Sequence, residues 1–148
     1  LADIVSSFSF QKVAPPLDKT LLSQMIYEGK QLYLKDLLLP EYSDADKIGY
    51  NLEQITWCKE NEGYMWRYFI EKKLLYDTNQ KLNSRFINPA PFSKFYLEID
   101  NESPGKVGAW VGWQIVRSFM ENNDVTLHQM LRMDAKEIFE KSKYKPKK

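Results

Sequence analysis

The run Pro104-Gly105-Lys106-Val107-Gly108-Ala109-Trp110-Val111-Gly112-Trp113-Gln114-Ile115-Val116-Arg117 limits the fold more than any other stretch of the chain. Ser103-Pro104 is a helix start signal, a capping residue followed by proline at the first helical position, and the helix it opens is expected to run to about Glu121. At 100° per residue Gly105, Gly108 and Gly112 fall within about 60° of one another. Each interior glycine costs a helix about 1 kcal/mol against alanine, so three on one face need a reason. Close approach of a second backbone along a structural glycine groove supplies one. Room for a ligand or substrate chain supplies another.

The first reason asks for a partner helix, and one other long helical pattern exists. It runs from an Asp18 cap to about Leu39 and is closed by Pro40. Leu21, Leu22, Met25, Ile26, Leu32, Tyr33 and Leu37 share a broad face, with Gly29 and Asp36 in its middle and Glu28 at its edge. Shorter helices are expected with caps at Ser43, Asn51, Thr126 and Asp134, and a further one from about Glu62 to Tyr76 with Trp66, Phe69, Ile70, Leu74 and Leu75 as its core set. Residues Asp77 to Glu102 read as a long structured loop with one short helix near Lys81 to Phe86. The best strand signal, Phe95 to Ile99, would stand alone. The fold class is therefore all-α: a mainly helical single domain with at most one minor strand. Its divisions are an irregular segment over 1–17, a helical domain over 18–144 and a basic tail over 145–148.

Composition agrees with a soluble globular domain, at 43% hydrophobic and 28% charged residues. The net charge of +1 argues against capture of nucleic acid or of an anionic membrane over the whole surface. The lysines that end the chain read as a solvated tail. Cys58 is the only cysteine, so an intramolecular disulfide is impossible and a buried structural thiol is the default. No apolar stretch approaches the length of a membrane span. The chain opens Leu1-Ala2-Asp3 without an initiator Met, as a processed, truncated or partial product would.

Motifs that carry chemistry are absent: there is no HExxH, no glycine-rich phosphate loop, no GxSxG and no cysteine spacing suited to a metal. His128, the only histidine, sits on a short late helix and reads as a surface or cap residue. Catalytic residues are therefore none, and no bound cofactor is expected of this chain. Lys106, Gln114, Arg117 and Glu121 form a narrow polar stripe on the glycine helix, with Trp110 in its middle. Either Trp110 covers the methylene stems of Lys106 and Arg117, or Trp110, Gln114 and Arg117 make a possible partner contact that reads a carboxylate or a peptide. Asp36, on an apolar face, needs a cation or backbone donor unless it escapes into solvent at the frayed last turn. Arg67, Arg85 and Arg117 are the candidates.

Read together, Met25-Ile26-Tyr27-Glu28-Gly29-Lys30-Gln31, Leu37-Leu38-Leu39-Pro40, Asn88-Pro89-Ala90-Pro91-Phe92, Asn101-Glu102-Ser103-Pro104-Gly105, Gly108 to Arg117 and Ser142-Lys143-Tyr144-Lys145 resemble the C-terminal part of the GldB family of gliding-motility lipoproteins of Bacteroidota. The similarity covers about Asp18 to Lys148. It implies part of an exported, membrane-associated, lipid-anchored protein of the cell envelope, facing the periplasm and tied to gliding motility and protein secretion. Its partners would be envelope proteins or the N-terminal half of the parent, with membrane contact only through a lipid anchor outside this chain. The family is in turn distantly similar to zinc-peptidase-like domains, so the resemblance extends to the C-terminal lobe of a gluzincin-like metallopeptidase fold. There Glu28 would be a metal ligand, on condition that an HExxH helix lies upstream. No such helix precedes Glu28 here, and one carboxylate cannot hold zinc. The reading is a non-catalytic interaction or structural domain. The alternative is the C-terminal half of a metallopeptidase-like protein, with zinc bound in the parent.

Overall fold

The computed structural model describes residues 13, 15, 16, 18–89 and 103–146. Within them the chain is all-α, with eight helices and no strand: α1 Leu21–Leu38, α2 Asp44–Ile48, α3 Leu52–Glu60, α4 Glu62–Glu71, α5 Lys81–Phe86, α6 Val107–Asn122, α7 Leu127–Arg132 and α8 Ala135–Ser142. The strand expected at Phe95 to Ile99, most of the segment 1–17 and the end of the basic tail lie outside the described residues.

The two long helices pack on each other as the glycine pattern requires, and α8 packs against both. Their crossing is closest at Gly29 and Gly112. A Cβ on Gly112 would fall 1.9 Å from the carbonyl oxygen of Met25, and one on Gly29 would fall 2.5 Å from the backbone of Gly112. Gly108 serves a different neighbour: its Cβ would meet Phe86 O and Ile87 Cδ1 at 3.0 Å, so it makes room for the end of α5. Gly105 lies ahead of α6, and its carbonyl accepts from the Tyr50 hydroxyl at 2.5 Å. The expected single groove is thus a helix crossing at Gly112, a loop contact at Gly108 and a turn at Gly105. Around the crossing Met25, Ile26, Trp113, Ile115, Val116, Phe119, Met130 and Ile138 are fully buried. Each such side chain contributes about 1.5–3 kcal/mol.

Local signals placed most of the helices, and where they did not, a tertiary partner explains the difference. Ser43, Asn51 and Thr126 cap as expected, the last two in capping boxes with Gln54 and Gln129. Asp134 precedes α8 without a side-chain cap bond. For α1 the cap is Thr20 rather than Asp18, whose carboxylate braces Thr20 and Ser23. The helix expected to reach Tyr76 ends at Glu71, and Lys73 adopts a left-handed conformation (φ 56°). That break lets Leu75 and Asp77 accept hydrogen bonds from Leu22 and Leu21, two first-turn amides of α1 that have no partner inside their own helix. Similarly, α6 begins at Val107, three residues later than Pro104, because Lys106 stands in the left-handed region. Two residues assigned to core faces, Leu37 and Ile70, are exposed, while Leu34 is buried.

Candidate functional site

Asp36 sits in the last turn of α1, partly buried, and its partner is Arg117 of α6. Arg117 Nε and Nη2 each donate to the carboxylate at 2.8 Å. Trp113 Nε1 donates to it at 3.0 Å and Lys47 Nζ at 3.1 Å, so both oxygens are fully engaged. The same guanidinium reaches Asp44, with Nη1 and Nη2 at 3.0 and 2.9 Å. It also stacks 3.8 Å over the Trp113 ring. Charges balance: Asp36 and Asp44 against Arg117 and Lys47. Such planar, two-pronged pairing is what arginine does and lysine cannot. Burial alone would push the guanidinium down, but the hydrogen bonds it donates to Asp36 and Asp44 outweigh it and raise it. The Asp44 carboxyl is held below its usual range chiefly by the hydrogen bond from Arg117.

Buried or half-buried lysines finish other helix ends, where unpaired carbonyls favour a cation. Lys35 Nζ donates to Lys47 O at 2.7 Å and Lys106 Nζ to Ile48 O at 3.3 Å, both at the end of α2. Lys30 Nζ donates to Met133 O at 2.7 Å and Leu131 O at 3.2 Å, at the end of α7. Burial pushes the Lys30 ammonium down to about 8, with Asp134 opposing.

Above this frame lies a groove of about 460 Å³. Its floor is one face of α6, where Trp110, Gln114, Arg117 and Glu121 follow each other at helical spacing. Asp44, Lys59 and Glu62 from α2, α3 and α4 form one wall, and Tyr144 and Lys145 beyond α8 form the other. The second wall is anchored: Tyr144 Oη donates to Glu62 at 2.7 Å, and its ring meets Trp66 edge-on at 5.1 Å. The polar stripe of the sequence is therefore a groove floor, and the structure brings Trp110, Gln114 and Arg117 together on it. Two details differ from the expectation. Trp110 is only 2% exposed, covered by walls that its own helix cannot reveal. The ring beneath Arg117 is Trp113. The wall residues Asp44, Lys59, Glu62 and Tyr144 were not foreseen, since they come from four separate segments with no shared spacing.

Glu28 lies elsewhere, on α1, half-buried. Burial raises its carboxyl, with Lys106 and Lys35 opposing. Among the described residues no group of three or more His, Cys, Asp or Glu side chains converges. A single carboxylate whose charged neighbours are ammonium groups does not by itself fit a zinc ion. His128 is exposed on α7. Cys58 is fully buried, and burial pushes its thiol up to about 12, which keeps it protonated and unreactive.

These features define an all-helical domain in which a braced ionic frame supports a polar groove, and among the described residues no helix is long and apolar enough to cross a membrane. The model of the family described as gliding motility protein GldB matches residues 1–146, and the chain belongs to that family of gliding-motility lipoproteins of the cell envelope. No curated protein and no solved structure matches it.

Proposed function

We propose that this chain is a non-catalytic interaction domain of a GldB-family envelope lipoprotein, facing the periplasm and contributing to gliding motility and its associated secretion machinery through protein contacts at the α6 groove. The observation that carries this reading is the groove floor itself, on which Trp110 and Gln114 lie beside an arginine locked by two carboxylates. A side chain so fixed offers a preorganised surface, which lowers the cost of binding. Partners would be other envelope proteins or the remainder of the parent.

Lys59 and Lys145 stand exposed on the two walls, outside any salt bridge among the described residues, so reversing their charge should spare the fold. Lys59→Glu with Lys145→Glu, placed in the native gene, is expected to abolish or strongly reduce colony spreading while protein level and melting temperature hold. Normal spreading would overturn the reading. Stoichiometric zinc that survives dialysis of the parent, and is lost on Glu28→Gln, would favour the metallopeptidase-like alternative instead.

A further inference from the structure

Among the described residues five large apolar side chains stand between 48 and 77% exposed: Leu37, Leu38, Leu52, Ile70 and Tyr76. Scattered singly they would need no account, but they fall in two places, and the free charges of each place are mainly of one sign. Leu37 and Leu38 end α1, and Leu52 opens α3. The free charges beside them are the exposed carboxylates Glu41, Asp46 and Glu53. Other charged groups there are spent: Lys47 on Asp36 and Asp44 on Arg117, while Lys35 and Lys106 donate to carbonyls at the end of α2. Ile70 and Tyr76 flank the turn that follows α4. There Arg67, Lys72, Lys73 and Lys81 stand exposed against Glu71 and Asp77, and none of these belongs to a salt bridge among the described residues. Asp18 and Lys19, at the start of α1, cancel each other.

The acidic and the basic place lie at opposite ends of α1. Leu37 and Leu38 are in its last turn, whereas the first-turn amides of Leu21 and Leu22 donate to Asp77 O and Leu75 O, on either side of Tyr76. At about 1.5 Å per residue these ends stand about 25 Å apart, more than twice the distance over which salt screens exposed charges, so they do not satisfy each other within one molecule. The basic end also holds an open depression of about 160 Å³ on α4, lined by Tyr64, Arg67, Tyr68 and Glu71. Two phenol rings beside a guanidinium suit an aliphatic knob with carboxylates behind it, and Leu37-Leu38 with Glu41 is such a knob. We infer that copies of this chain associate head to tail: Leu37 and Leu38 of one copy seat in the α4 depression of the next, with Glu41 and Asp46 facing Arg67 and Lys72. Two like ends would repel, so the contact is heterologous and repeats from copy to copy. None of these residues lines the α6 groove, so this surface is separate from the one proposed for envelope partners.

Sedimentation of the purified protein tests this. In about 50 mM salt the weight-average mass should climb with concentration above that of one chain, and about 0.5 M salt should reverse most of the climb. Glu41→Lys with Asp46→Lys makes both ends basic, and Arg67→Glu with Lys72→Glu makes both acidic. Each variant alone should need at least about tenfold more protein for the same climb. An equimolar mixture of the two should associate about as well as the wild type, because every junction again joins unlike ends. Leu37→Ser with Leu38→Ser leaves the charges alone and should weaken association to a similar degree. Melting temperatures report whether each variant is folded, and should a charge variant fail to fold, the salt dependence and the leucine variant still decide. A wild type that keeps the mass of one chain at every concentration, folded variants that associate as the wild type does, or a mixture that stays monomeric overturns the inference.

Discussion

At Asp36 four donors converge on two oxygens, so removing its charge is felt by Arg117, Lys47 and Trp113 together. Asp36→Asn should destabilise the fold by about 2–4 kcal/mol, somewhat below the range for a fully buried pair because Arg117 keeps Asp44 and some solvent. A double-mutant cycle with Arg117→Gln should give a coupling of about 1 kcal/mol or more in thermal unfolding. Additive losses would show that the pairing is incidental. Lys30 makes a second prediction through pH. Its folded value of about 8 lies below the ordinary 10.5, so between these values the unfolded chain holds more protons than the folded one. Raising the pH through that window therefore favours folding. Relative to Lys30→Met, the wild type should gain about 2–3 kcal/mol from pH 8 to 10.5 in denaturant titrations, and parallel profiles would count against it.

Between elements, Gly108 and Gly112 of α6 should separate by what each one touches. Gly112→Ala places a methyl group inside the Met25 carbonyl, a backbone atom that cannot rotate away, so α1 and α6 must part. The cost should exceed the ordinary overpacking range of about 1–3 kcal/mol. Gly108→Ala meets the flexible end of Ile87 and the Phe86 carbonyl at 3.0 Å and should cost about 1–2 kcal/mol. Melting temperatures that rank Gly108→Ala below Gly112→Ala would refute this assignment of the crossing. Three glycines within about 60° of a wheel announced a close contact before any coordinates. Which of them met the partner helix was not legible, because a wheel shows a face and says nothing of where along it the other backbone crosses.

Across the whole molecule, the segment after α8 ties the end of the chain back to α4 and in doing so closes the groove. Tyr144→Phe keeps the ring on Trp66 but leaves the buried Glu62 carboxylate without that donor. It should cost about 1–3 kcal/mol. Tyr144→Ala should cost more and open the groove, which hydrogen exchange at the Trp110 indole would report as faster exchange than in the Phe variant. Equal exchange in the two would mean that this wall does not cover Trp110.

What the chain specifies locally could be read from it directly. Caps at Ser43, Asn51 and Thr126 act on amides three residues away, the helical period marks a buried face, and the α6 stripe is a property of one helix. What depends on distant segments could not be read. Asp36 had three candidate arginines and found Arg117, 81 residues on. Trp110 lies in a polar stripe and is buried all the same, because α3, α4 and Tyr144 build a groove over it. The break after Glu71 is set by the need of α1 for hydrogen-bond acceptors at its first turn. A period or a cap is decided by the backbone within a turn or two. Which charge meets which, and which side chain is covered, is decided only when elements far apart in sequence pack and exclude water from the space between them.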